Sequence, residues 1–246
     1  LIAIRLKDID PTYAFYWTRS GNFKEQLDQV MMSQAQPSLR VPWLLDFYLN
    51  IPKSEEQTAI TKVLSDTDEL IEGLKNLIKK KKNIKQGAMQ ELLTGKRRLP
   101  GFSGKWQTRM LGELLDYEQP TKYLVKHADY NDDFNIPVLT AGKTFILGYT
   151  AEETNIFQNL PTIIFDDFTT AIKYVDFPFK AKSSAMKMLI PRNKEVNLKF
   201  VFAKMQMIDF QIGDHKRHWI AEYQNIEIAT PKPDERTAIA TLLSEV

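Results

Sequence analysis

The chain has 246 residues with no cysteine, 43% hydrophobic and 26% charged residues, and 33 Lys+Arg against 31 Asp+Glu for a formal net charge of +2. Such content supports a packed core and excludes wholesale disorder, while the lack of cysteine excludes disulfides, thiolate metal sites and thiol nucleophiles and suits a reducing compartment. No apolar run approaches the roughly 20 residues that span a bilayer, and Leu1-Ile-Ala-Ile-Arg5 lacks the basic start and cleavage site of a signal peptide, so a cytoplasmic location without membrane contact is expected.

Residues 1–53 carry six basic and five acidic groups, a net of +1. The next stretch differs in kind. From Ser54 to Thr94 there is no proline, and the only glycines are Gly73 and Gly87. Apolar residues fall at helical spacing: Ile60, Val63, Leu64, Leu70, Ile71, Leu74, Leu77, Ile78, Ile84 and Leu92 form one stripe. Ser54 with Gln57 reads as a capping box at the start, and Gly95 followed by Pro100-Gly101 supplies the stop. The spacing therefore predicts a helix over 54–94, about 60 Å long, with 95–102 as a linker. Its first half is acidic (Glu55, Glu56, Asp66, Asp68, Glu69, Glu72) and its second half basic (Lys75, Lys79 to Lys82, Lys85). That order complements the helix dipole and suits antiparallel pairing with a helix of the same kind. An apolar stripe on an isolated rod has to be buried against something, so residues of the stripe are the expected helix–helix interface.

Residues 103–230 read as a complete mixed domain whose charge is unevenly spread. Residues 103–172 hold five basic and ten acidic groups, whereas 173–217 hold ten basic and four acidic, a net of +6. A basic stretch of that kind is the footprint expected for phosphate contacts. Asp166-Asp-Phe-Thr-Thr-Ala-Ile-Lys173 follows the apolar strand Thr162-Ile-Ile-Phe165, and Lys180-Ala-Lys-Ser-Ser-Ala-Met-Lys187 follows Val175-Asp-Phe-Pro-Phe179. Hydroxyls and amines on loops between strands suit phosphate positioning and base-edge readout. Gly213-Asp-His-Lys-Arg-His218 precedes a strand-like Trp219–Ile228 stretch, and Thr140-Ala-Gly-Lys143 with Gly148 shapes another loop. The candidate DNA contacts are therefore Lys143, Asp167, Thr169, Thr170, Lys173, Lys182, Ser183, Ser184, Lys187, His215, Lys216, Arg217 and His218. Lys216 and Arg217 are the foremost candidates for guanine, and Asp167 for a cytosine amino group. His215 and His218 without a third ligand do not make a metal site, and no metal or cofactor is expected.

The last segment repeats the second. Pro52-Lys-Ser-Glu-Glu-Gln-Thr-Ala-Ile-Thr-Lys-Val-Leu-Ser-Asp66 returns as Pro231-Lys-Pro-Asp-Glu-Arg-Thr-Ala-Ile-Ala-Thr-Leu-Leu-Ser-Glu245, with eight of fifteen positions identical. Upstream, Val41, Phe47 and Leu49 match Ile220, Ile226 and Ile228, and Thr12–Trp17 matches Leu198–Ala203 after a small gap. Two copies of a domain tail running into a long helix are thus expected, with 231–246 the start of the second helix.

Pro-x-x-x-Glu-Gln-x-x-Ile opening the helix, Leu92-Leu-Thr-Gly-Lys-Arg-Arg-Leu99 closing it, then Trp106 and Leu111-Gly-Glu-Leu114, resemble the DNA specificity subunit of type I restriction-modification systems. The resemblance implies an α+β fold in which target recognition domains of mixed strands and helices are joined by a long helix forming an antiparallel coiled coil. It makes 1–53 the C-terminal part of a first target recognition domain, 54–94 a spacer helix and 103–230 a complete second recognition domain. The implied partners are double-stranded DNA, methyltransferase subunits, a restriction and translocation subunit through the complex, and a second copy or missing half through helix pairing. No methyltransferase cofactor loop or P-loop occurs, so the implied role is recognition without catalysis. A coiled-coil adaptor with no DNA specificity is the rival reading. It accounts for 54–94 but not for the basic loops.

Overall fold

The computed structural model describes residues 7–31, 39–142, 144–210 and 218–245. They fall into two units, Leu1–Lys80 and Lys81–Val246. The first unit contains the short helices α1 (Pro11–Trp17), α2 (Gly21–Met31) and α3 (Val41–Leu45). Asp10 caps α1, its side chain accepting from the Thr12 and Tyr13 N–H groups, with proline at the first helical position.

The long helix predicted from the stripe is α4 (Ser54–Leu92), unbroken over 39 residues. It ends two residues before the expected Thr94. Its start also differs from the expected capping box. Gln57 is buried, donates to Pro52 O and accepts from Asp10 N–H, both at 2.9 Å. Its amide thus ties the helix start to the cap of α1. Further along, Tyr16 O–H donates to Asp68 at 3.1 Å and Arg19 pairs with the same carboxylate at 3.3 Å. Ala14 is the one fully buried hydrophobic of this unit among the described residues, and Trp17, Phe23 and Phe47 pack edge to face beside these polar ties.

The second unit is α+β, as the resemblance implies. In chain order it holds the final turns of α4, β1 (Gln107–Met110), α5 (Leu111–Leu114), β2 (Leu115–Glu118), β3 (Ile136–Leu139), β4 (Ile146–Thr150), β5 (Thr162–Asp166), β6 (Ile172–Val175), β7 (Lys180–Ala181) and β8 (Met186–Pro191). Then follow α6 (Leu198–Met205), α7 (His218–Ala221), β9 (Glu227–Thr230) and α8 (Pro233–Glu245). An antiparallel four-stranded sheet runs β2-β8-β5-β6. A three-stranded sheet runs β4-β3-β7, with β3 and β7 parallel, and β1 pairs β9. Leu189, Ile163 and Phe165 face one core with Trp219 and Tyr223, while Ile164, Met186 and Met188 face another with Phe157 and Phe179. Alternate residues of β5 and β8 thus supply both cores, the two-fold periodicity of a doubly covered strand.

The expected strand over Trp219–Ile228 is only partly a strand. Trp219 and Tyr223, buried at i and i+4, lie on α7 and a following 3-10 turn, and the strand begins at Glu227. One face of α8 is covered. Ile239, Ala240 and Leu243 pack on Met89, Leu92 and Leu93 of the α4 end together with Phe200. Lys85 donates to Leu243 O at 2.7 Å, and Arg98 grips Glu235 with two bonds of 2.5 and 2.6 Å. Residues ascending from α4 into the segment after it therefore meet residues descending along α8. The two helices run antiparallel.

The repeat also survives in three dimensions. The matched segments Thr12–Trp17 and Leu198–Ala203 lie in α1 and α6, each opened by an Asp or Asn cap, and the matched prolines precede α4 and α8. Along the predicted interface stripe, Ile60 is half-buried and Leu92 lies in the α8 contact. Val63, Leu64, Leu70, Ile71, Leu74, Leu77, Ile78 and Ile84 are exposed. Among the described residues no helix is long and apolar enough to cross a membrane.

Candidate nucleic-acid interface

Loops nominated separately from the sequence converge at one end of the two sheets. β3 and β7 are parallel, so their following loops leave side by side, and Lys182 N–H donates to Leu139 O at 2.9 Å. The β5–β6 turn joins them through Asp167 N–H to Ala185 O at 3.2 Å. Asp167 also holds the start of α7: its carbonyl accepts from His218 N–H at 3.4 Å and its Oδ1 from Trp219 N–H at 3.0 Å. Its remaining oxygen lies 2.9 Å from Lys187 Nζ, in an ion pair with both side chains buried. One aspartate thus knots three chain segments together.

This knot revises the roles of several predicted contacts. Asp167 and Lys187 face each other in the interior, and His218 is buried at the start of α7 beside Phe210. Their side chains frame the loops and do not present themselves to a ligand. Thr169, Lys173, Lys182 and Ser184 are exposed, while Thr170 and Ser183 are half-buried. Thr170 takes a left-handed φ of 55° and donates its N–H to Asp166 O, closing the turn, and Ser183 Oγ accepts from Ala185 N–H. Lys143, His215, Lys216 and Arg217 lie outside the described residues.

The net of +6 over 173–217 overstates the basic surface. Lys180 is buried and pairs with Glu152 at 2.9 Å, while Arg192 lies 2.7 Å from Asp116. Lys204 donates to Leu93 O beneath the end of α4, where burial lowers its pKa. Burial alone would raise the Glu152 carboxyl, but Lys180 and the N–H groups of His127 and Lys126 bring it down to about 2. The same carboxylate thereby orients an exposed Lys126-His127 pair. Val125 N–H bonds Ala181 O, so that pair follows the chain to the same end as Lys182. Sequence reading missed both residues, because the 125–181 pairing that brings them in is long-range. It also missed Phe168, an exposed aromatic at the tip of the β5–β6 turn.

Sequence and structure comparisons fit this architecture. The family model for the type I restriction modification DNA specificity domain matches residues 1–81. An Escherichia coli protein, the type I restriction enzyme EcoR124I/EcoR124II specificity subunit, is 50% identical over 163 residues, covering 64% of this chain. Over these stretches the chain is similar to type I restriction enzyme specificity subunits. A second specificity subunit, MjaVIII of Methanocaldococcus jannaschii, is 35% identical over 95 residues, or 39% of this chain. The chain spans 40% of the first relative's length and 22% of the second's. In fold it is similar to the crystallised S subunit from M. genitalium, with a TM-score of 0.68 at 19% identity over 97% of this chain and 67% of that one. The mixed strand-and-helix domain and the long helix are therefore part of a fold shared with that S subunit.

Proposed function

We propose that the chain is a sequence-specific DNA-binding subunit of a type I restriction-modification complex. Its second unit reads a half-site through the loops gathered at the shared end of the sheets. The convergence of those loops on Asp167 carries the reading. Independently nominated segments bearing Thr169, Lys173, Lys182 and Ser184, with Lys126 and His127 beside them, occupy one end of the domain. Cations and short hydroxyls grouped this way suit phosphate positioning around base-edge contacts. Lys143, His215, Lys216 and Arg217 belong to the same proposed set.

Catalysis falls to other chains in this reading. Methyltransferase subunits dock on the specificity chain and a restriction subunit joins through them, with cellular DNA in the cytoplasm as substrate. The exposed stripe on α4, with its acidic first half and basic second half, pairs antiparallel with a second copy or with a matching helix of a longer assembly. The α4–α8 contact offers a pattern for that pairing, since it is antiparallel and opens on the repeated Pro-Lys-x-x-Glu sequence.

The test is selection of bound duplexes from a randomised pool by the full chain, without cofactor. Enrichment of a defined short sequence supports the reading. Binding that stays sequence-independent at every salt concentration rejects it, and a self-associating chain with no DNA affinity favours the adaptor. Sedimentation equilibrium addresses the stripe, for which a folded monomer at high concentration overturns the pairing.

A further inference from the structure

Phe168 stands out among the residues that the proposed function does not use. It is 56% exposed, although it directly follows two buried aspartates, Asp166 and Asp167, and its backbone is tied on both sides. Its N–H donates to Asp166 Oδ1 at 2.8 Å, and Thr169 N–H reaches the same oxygen at 3.3 Å. Asp166 N–H bonds Ala171 O and Thr170 N–H bonds Asp166 O, each at 2.9 Å. Asp167, immediately before the ring, is locked to Lys187, Ala185 and α7. The turn is thus held from within while its ring is left outside. A side chain presented from a fixed backbone loses little conformational freedom on binding.

The carrier of the ring matters too. The turn joins β5, an inner strand of the four-stranded sheet, to β6 at its edge, so the ring projects from the end of that sheet. From such a tip a side chain, rather than the strands themselves, would reach the base edges that the major groove of B-form DNA displays. Lys173, the second residue of β6, and Lys182, on the neighbouring loop, are exposed cations that suit the flanking phosphates. Thr169 adds a hydroxyl and a methyl at the same tip. The phenylalanine ring has no donor or acceptor, so it cannot read a hydrogen-bonding base edge. The apolar mark that the major groove offers is the C5-methyl group of thymine.

We propose that Phe168 is a specificity-determining residue that contacts a thymine methyl group in the major groove of the half-site. The assignment rests on the DNA-recognition reading above. It differs from a wedge between base steps, which would unstack the duplex and be indifferent to the methyl group.

The experiment begins with the half-site that the wild-type chain selects from a randomised duplex pool. Each thymine in that site is then replaced singly by uracil, which removes only the methyl group. Binding is compared for the wild type, Phe168→Ala and Phe168→Leu. At one thymine, uracil is expected to weaken the wild type about four-fold. Phe168→Ala is expected to bind the unmodified site about ten-fold more weakly, to be indifferent to that uracil, and to keep its low-salt non-specific binding. Phe168→Leu retains apolar bulk and should keep part of the uracil sensitivity. Because the ring is exposed, unchanged thermal melting of both variants confirms that they fold. If Phe168→Ala keeps the wild-type uracil profile, or if the wild type is insensitive to every uracil, the Phe168 assignment is wrong while DNA recognition stands. If the wild type enriches no sequence at all, the recognition reading fails and the assignment with it.

Discussion

Replacing Lys187 by Met removes one charge of the buried pair that organises the loop end and keeps the aliphatic length of the side chain. Lys187 Nζ lies 2.9 Å from Asp167 Oδ2, with the two side chains 2% and 4% exposed, so water has almost no access to the carboxylate left behind. Removing one partner of such a pair costs about 3–5 kcal/mol, because the remaining charge is buried without compensation. The Trp219 N–H on Oδ1 persists and places this case near the lower bound, about 3 kcal/mol. For a unit the size of Lys81–Val246, about 2–4 °C per kcal/mol translates this into a loss of roughly 6–12 °C in Tm. Scanning calorimetry on the full chain would measure it, and amide exchange at 166–171 and 182–185 would rise in parallel. The further change Asp167→Asn should recover more than half of the loss, since the amide oxygen still accepts from Trp219 and no charge is buried. A Lys187→Met variant melting within 2 °C of wild type would refute the reasoning. A double variant as unstable as the two singles combined would refute it as well.

Three further expectations follow from other sites. Glu152 has its folded pKa depressed to about 2 from an ordinary value near 4.5, so its stabilising contribution is present above 4.5 and is lost as pH falls from there toward 2. Urea midpoints between pH 5 and 3 should therefore fall less steeply for Glu152→Gln than for the wild type, and equal slopes would count against the Lys180 pairing as the cause. Gly148→Ala should destabilise the second unit by about 1–3 kcal/mol, because an added Cβ meets Tyr130 Cβ at 2.8 Å where φ is +154°. An unchanged denaturation midpoint would contradict that clash. Leu70→Glu with Leu77→Glu should abolish self-association in sedimentation while shifting the melting of the isolated chain by no more than about 0.5 kcal/mol, since both residues are exposed. Persisting dimers would exclude the stripe as the interface.

What was legible in the sequence was local. The proline-free run, its stripe and the Gly95 stop marked α4 within two residues, because helix period and punctuation are read within a few positions of each residue. The repeat was visible as identity and returned as matched elements. The loops of the candidate site were nominated from their hydroxyls and amines. Their inner frame was not, because Lys187 and Asp167 look like any lysine and aspartate until β5 and β8 pair and bring them into one interior. The charge count over 173–217 failed for the same reason, as ion pairs with Glu152, Asp116 and Asp167 form across long sequence separations. Trp219 and Tyr223 carried a helical spacing that the apolar alternation of the following isoleucines obscured.

The Asp167 knot divides the loop end into positions that cannot vary and positions that can. Exchanging Asp167 or Lys187 alone unsettles several chain segments, so neither can change without the other. Phe168, Thr169, Lys182 and Ser184 point outward from a backbone that those two residues hold, and a new side chain there leaves the knot untouched. If these loops read DNA as proposed, a domain built this way can acquire a new target one substitution at a time without first unfolding, and its lineage can diversify in what it reads while its architecture stays the same.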